Sequence, residues 1–353
     1  MKRQRQPKTI LYTFVAALQP APRNMRTSTK TFVFFLIFLL RRDPSTGQDT
    51  AYLQDIKDTT TTRSKESTRL PDRTRKQRLL TVGSIEAAFI AGSFITLNEA
   101  WYSNYQRQPF HFFNDWDEWM QMDKLGHAMS TYSGSRVGAD LWRWAGMNQK
   151  KAAWTATLSS MAYLTMVEML DGYSEKWGFS MGDMYMNTLG AGLFLSQELG
   201  WKEQRLTLKI SYFPVKHDPS YRSRTNELFG TSGVERFLKD YNGQTLWLSG
   251  NLSAFFPEKT IPKWLNISFG HNARTMLGGT ENIWTDNNGN TIDRTDVQRY
   301  RRFFLSLDVD LTRIPVKSKA LRTVFSVINV FKIPAPTLEL DGNGKFRAYL
   351  LYF

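Results

Sequence analysis

Apolar residues fall at helical spacing in the first part of this chain and alternate with polar ones in the second. Residues 81–105 place Ile85, Phe89, Ile90, Phe94 and Ile95 on a helical repeat, with Gly83, Ala87, Ala88, Ala91 and Gly92 between them, small enough for close helix approach. Three further helices are predicted over 122–145, 150–170 and 182–199. Gly146 and Asn148 mark the first break, and Asp171-Gly172 ends the next helix as a glycine stop does. From Glu203 the period becomes two. Strands are expected at 206–212, 246–256, 265–269, 303–311, 323–333 and 346–353, separated by the turn signals Asn242-Gly243, DNNGN at 286–290 and DGNG at 341–344. The two loops lack the acidic spacing of a calcium loop and read as turns.

Helices followed by strands, with no βαβ alternation, predict an α+β chain. An N-terminal helical bundle over 81–202 is followed by an antiparallel β-region over 203–353. Alternation fits a one-sided soluble sheet as well as the wall of a small outer-membrane-type barrel. Two features lean towards the barrel: the final RAYLLYF closes a strand on an aromatic residue, and strands of about nine to eleven residues can cross a bilayer, as 246–256 and 303–311 would.

Composition sharpens the location. Aromatics make up 14% of the 353 residues, with eleven tryptophans and fourteen tyrosines, a usage common at membrane–water interfaces. The ten-residue apolar run 31–40 (TFVFFLIFLL) is too short to span a bilayer and matches the core of a signal peptide, with Arg26 and Lys30 before it and Ser45-Thr46-Gly47 as the cleavage region. Residues 1–47 are therefore expected to be a signal, with 1–24 as a mis-called start, and 48–80 a flexible lead-in that includes the basic run 69–78 as a solvated linker. Much of the net charge of +14 lies in that first segment: removing its nine cations and Asp43 leaves 37 basic against 31 acidic residues. No stripe that would grip nucleic acid is evident in what remains. The absence of cysteine excludes disulfides, thiolate metal sites and a cysteine nucleophile.

Candidate chemistry is concentrated between 115 and 190. Asp123 and His127 are four apart and share a helical face, Glu168 is the single charge in the run 152–170, Asp171 lies one turn on, and Asp183, Asn187 and Gly190 line another face. Buried ionisable groups need partners, so these faces are expected to turn towards one another, with Lys124 neutralising a carboxylate. Three arrangements remain open. One is a structural network of Asp123, Lys124, His127, Glu168, Asp171, Ser180, Asp183 and Asn187. Another is a divalent-metal site of Asp123, His127, Glu168 and Asp183. The third is an acid–base hydrolytic site with His127 as base and Glu168 or Asp183 orienting it. Ser180 lies in GFSMG, which is not a nucleophile elbow. His111, His217 and His271 read as surface or packing residues.

The spacings Asp123-Lys124-x-x-His127, Glu168-x-x-Asp171-Gly172 and Gly178-Phe179-Ser180-x-x-Asp183-x-x-x-Asn187-x-x-Gly190 resemble the YfiM-like family of predicted periplasmic lipoproteins of unknown function (domain-of-unknown-function family 2279) over roughly residues 115–200. The block 238–249 and the last strands are similar to those of longer Gram-negative members. The resemblance implies an exported envelope protein with a helical core and an appended β-region, working with the outer membrane or envelope proteins. It implies no reaction. With no cysteine to lipidate, anchoring is expected from the β-region, the helices or a partner.

Overall fold

A computed structural model describes residues 71–352 apart from 101, 257–259 and 287, so the expected signal and residues 48–70 of the lead-in lie outside the described residues. Helix α1 spans Asp72–Ala100, so the basic run expected as a solvated linker instead supplies its first turns. Helices α2 (Met122–Trp144), α3 (Gln149–Asp171) and α4 (Met181–Gly200) follow within a residue or two of expectation. Asn148 caps α3 by accepting from Lys151 N, and Ser180 caps α4 by accepting from Asp183 N. Gly172 is no left-handed stop: its φ is −57°. It is small for another reason, since a Cβ there would meet Phe110 Cε2 at 2.4 Å.

The bundle packs α2 against α3 and α4 around Tyr132, Ala139, Ala153, Ala156 and Phe194. Close approach is set by glycine. A Cβ on Gly190 would lie 2.1 Å from Ala128 O, so only glycine lets α4 approach α2 this closely.

After β1 (Leu206–Tyr212) come two short helices, α5 (Arg222–Phe229) and α6 (Gly233–Lys239), then β2 (Gln244–Asn251), the single turn α7 (Leu252–Phe255) and β3 (Leu265–Arg274). A small hairpin of β4 (Ile283–Thr285) and β5 (Thr291–Asp293) is joined by the DNNGN turn, in which Asp286 accepts from the backbone of Asn288 and Asn290. Strand β6 (Tyr300–Val309), helix α8 (Lys319–Ile328), β7 (Ala335–Asp341) and β8 (Phe346–Tyr352) complete the chain. The main sheet is antiparallel, in the order β1-β2-β3-β6-β7-β8.

Two strand expectations are corrected. The segment 246–256 is extended only as far as Asn251, whose side chain caps the α7 turn. The segment 323–333 is not a strand: α8 occupies 319–328 because Leu321, Val324, Phe325 and Ile328 recur at three and four residues and make one apolar face. Three strands were not expected, the short β4 and β5 and the longer β7, which begins Ala335-Pro336 with Pro336 on its exposed side.

The sheet has its polar side inside. Thr207, Lys209, Ser211, Ser249, Asn266, Ser268, Asn272, Ser306, Asp308, Thr337, Glu339 and Asp341 are buried, while Leu248, Ile267, Phe269, Leu305, Leu307, Leu338 and Leu340 on the opposite face are exposed. The concave side is filled: Lys209 Nζ is 2.7 Å from Asp308 Oδ2, both wholly buried, and Phe304 packs between Trp247 and Tyr352. Helix α2 covers part of the convex face, at Leu208, Ile210 and Leu246, through Met122, Leu125 and Met129. The sheet is curled but not closed as a barrel, because β1 and β8 do not pair. The free edge of β1 is met by residues 330–332: Ile210 N donates to Val330 O, and Lys332 N to Ile210 O.

Candidate functional site

The expected faces do meet. Helix α2 contributes Asp123, Lys124 and His127, α3 contributes Glu168, and α4 contributes Asp183 and Asn187. Lys124 is buried at the centre, its Nζ 2.7 Å from Asp115 Oδ1, 2.8 Å from Asp183 Oδ1 and 3.2 Å from Asp123 Oδ2. His127 Nδ1 lies 3.2 Å from Asn187 Oδ1, which also accepts from Thr131 Oγ1, so the arrangement suits a proton on Nδ1. His127 Nε2 then faces Glu168 Oε1 at 3.6 Å and Asp183 Oδ1 at 3.7 Å.

Ser180 serves as a cap. Its Oγ accepts from Asp183 N and donates to Asp115 Oδ1 at 2.5 Å, while its backbone N donates to Glu168 Oε2. Asp171 stands apart, accepting from Tyr102 OH at 2.8 Å. Tyr241, from the segment entering β2, donates to Asp123 Oδ1 at 2.6 Å and ties the bundle to the sheet. Just before α2, Trp119, Met120 and Gln121 all have left-handed backbones, with φ of 48°, 52° and 62°. Such residues cost roughly 1–2 kcal/mol each. They are held by Trp119 N donating to Gly279 O and Arg301 donating to Met120 O.

Sequence reasoning missed Asp115, Tyr241, Tyr102 and Thr131. Asp115 and Tyr241 lie on irregular segments with no periodic face to betray them, whereas Thr131 continues the His127 face of α2 by one turn.

The charges do not balance. Asp115, Asp123, Glu168, Asp171 and Asp183 face one lysine and one histidine. Burial pushes Glu168 up to about 8 and Asp171 and Asp183 to about 7, with neighbouring carboxylates adding to the effect. Burial alone would lower His127, but Asp123, Asp183 and Glu168 outweigh it and raise its pKa. Asp123 goes the other way: against the penalty of burial, His127, Lys124 and Tyr241 hold its carboxyl below the usual range. Two buried polar atoms here have no hydrogen-bond partner, Glu168 Oε1 and Asn187 Nδ2. One ligand atom from each of Asp123, His127 and Asp183 falls within 4.8 Å of the others, whereas ligand atoms around tetrahedral zinc stand about 3.4 Å apart, so the three would draw together around an ion. A metal there would share Asp123 and Asp183 with the Lys124 ammonium.

No curated protein and no solved structure matches the chain. Residues 111–196 match a family model, and they hold every member of the cluster except Tyr102 and Tyr241. The family whose model matches over that span is described as Predicted periplasmic lipoprotein (DUF2279).

Proposed function

We propose that this cell-envelope protein sits in the outer membrane on the bare apolar face of its curled sheet, and that it acts there as a scaffold for envelope partners. The inverted sheet carries this reading. A sheet in water keeps its polar face outside, whereas here leucines and phenylalanines stand outside and Lys209, Asp308, Glu339 and Arg302 lie within. Ten-residue strands such as β3 and β6 rise about 3.3 Å per residue and, tilted by about 40°, cover about 25 Å of apolar thickness. Helix α1 adds to the apolar surface: it is long and apolar enough by composition to cross a membrane, and little of it is buried. In the scaffold reading, Lys124 is the built-in cation that pins three carboxylates and fixes α2 to α4 and the preceding loop.

The test uses the absence of cysteine. Leu305→Cys, Leu338→Cys and Asn343→Cys, the last on the β7–β8 turn, are labelled with a polarity-sensitive dye and reconstituted with brominated lipid. Quenching at 305 and 338 but not at 343 supports embedding. A dye equally wet at all three positions sinks it.

A second reading is favoured by the orphaned Glu168 Oε1 beside His127, whose side chain keeps 16% exposure. A purely structural network would satisfy that oxygen. In this reading the cluster is a hydrolytic site acting on lipid or cell-wall material, with His127 as base, Glu168 or Asp183 orienting it, or a divalent ion held by Asp123, His127, Glu168 and Asp183. Elemental analysis beside His127→Ala and Asp183→Ala decides it. Stoichiometric metal in the parent, lost from folded variants, supports the site, and metal-free protein whose variants melt early returns the cluster to the network.

A further inference from the structure

The most exposed imbalance outside the cluster lies at the end of the sheet where β3 finishes and β6 begins. A cavity of about 590 Å³ opens there, and Lys216, Arg274, Tyr300, Arg302, Glu339 and Arg347 contribute to its wall. Two of the guanidiniums are neutralised. Arg302 is hydrogen-bonded to Glu339 Oε2, and Arg347 Nη1 lies 2.6 Å from Glu339 Oε1 and 3.0 Å from Asp341 Oδ2. Arg274 is not. Among the described residues its half-buried guanidinium has no hydrogen bond and no ion pair, and its neighbour Arg302 is a like charge. The carboxylate whose field reaches it, Asp240, is already engaged by His217 Nε2 at 2.9 Å and by Asn242 N and Nδ2. Four cations of the wall, Lys216, Arg274, Arg302 and Arg347, face Asp218 and Glu339 on it and Asp341 beside it, which pairs Arg347.

A guanidinium stays charged at any working pH, so a partly desolvated one without a partner is a standing penalty that a bound anion removes. Its planar fork matches phosphate and carboxylate oxygens two at a time. With Arg302 and Arg347 engaged by Glu339 and Asp341, Arg274 is left without a carboxylate of its own, and the terminal oxygens of a phosphomonoester can supply one. The volume exceeds what bare phosphate needs and falls in the range of about 300–1,000 Å³ used by small organic ligands. We propose that this cavity binds an organic phosphomonoester, with Arg274 as its principal anion contact. The same chemistry is offered by a soluble sugar or glycerol phosphate and by the headgroup of phosphatidic acid, and only the lipid source rests on the membrane reading above.

Calorimetric titration of the full chain with glycerol 3-phosphate, and flotation with phosphatidylcholine vesicles with and without phosphatidic acid, test it. Three variants are compared: Arg274→Gln, Arg274→Lys and, as a control at the other end of the sheet, Lys263→Gln. Saturable binding that falls about tenfold or more in Arg274→Gln, falls less in Arg274→Lys and is unchanged in Lys263→Gln supports the site. Binding of glycerol 3-phosphate identifies a soluble ligand, and binding only of phosphatidic acid vesicles identifies a lipid one. Ligand-free Arg274→Gln should melt no lower than the parent, because it removes an uncompensated charge. Failure of both probes, or equal losses in Arg274→Gln and Lys263→Gln, overturns the proposal.

Discussion

Replacing Glu168 with glutamine separates the structural and chemical uses of the cluster. In the folded chain burial raises this carboxyl from 4.5 to about 8. An acid raised in this way adds stability below its unfolded pKa and loses it as the pH rises through the folded one. His127, also raised, acts in the same direction over the window above 6.5, whereas lowered Asp123 contributes only on the acid side of 3.8. Between about pH 5 and about pH 8 the Glu168 proton alone therefore contributes roughly 4 kcal/mol, at about 1.4 kcal/mol per pKa unit. Asp171 and Asp183, raised to about 7, titrate in the same field and steepen the parent's slope further, by amounts that are not independent of Glu168. Urea unfolding followed by tryptophan fluorescence should show the parent losing at least this much across the window, and Glu168→Gln, which keeps the shape and cannot ionise, losing less by about this amount and exceeding the parent at the alkaline end. A parent whose stability rises with pH, or a variant with the parent's slope, refutes the reasoning. Divalent cation that restores the parent at the alkaline end, and does nothing for Glu168→Gln, would favour the metal-dependent reading over the network.

Further outcomes follow from single contacts. Gly190→Ala forces a methyl against Ala128 O and should lower stability by about 1–3 kcal/mol while moving Asn187 away from His127, read as a fall in melting temperature together with a changed His127 ring signal by NMR. Tyr241→Phe removes a 2.6 Å hydrogen bond to a charged acceptor and should destabilise by about 1.5–3 kcal/mol, measured by chemical unfolding; no loss would mean the bundle and sheet do not depend on that tie. Lys209→Met strands Asp308 inside the sheet and should cost about 3–5 kcal/mol, with Lys209→Met/Asp308→Leu recovering most of it.

The helices were legible because apolar residues recur at helical spacing and a break is marked at Gly146 and Asn148, where Asn148 caps α3, although α2 begins without a side-chain cap. The cluster was legible because Asp123/His127 and Asp183/Asn187 repeat at four residues on helices otherwise poor in charge. Alternation disclosed β1, β3 and β6 but not their handedness, since a period of two is the same whichever side meets water. It failed at 323–333 because a short apolar run satisfies both periods, and at β7 because Pro336 masked the Leu338/Leu340 repeat. Asp115 and Tyr241 could not be seen at all, because what brings them to Lys124 and Asp123 is chain reversal in irregular segments.

The short backbone contact between Ile210 and residues 330–332 bears on how the chain is made. The strand β1 is synthesised early, yet the segment that covers its outer edge emerges only after β6 and α8. Until then the outer edge of β1 stands unpaired, a feature prone to mispairing with another chain. Pairings so distant along the sequence also form slowly. Biogenesis of this protein accordingly calls for a holding factor through most of translation, and chains truncated before Val330 should aggregate rather than accumulate as a shorter fold.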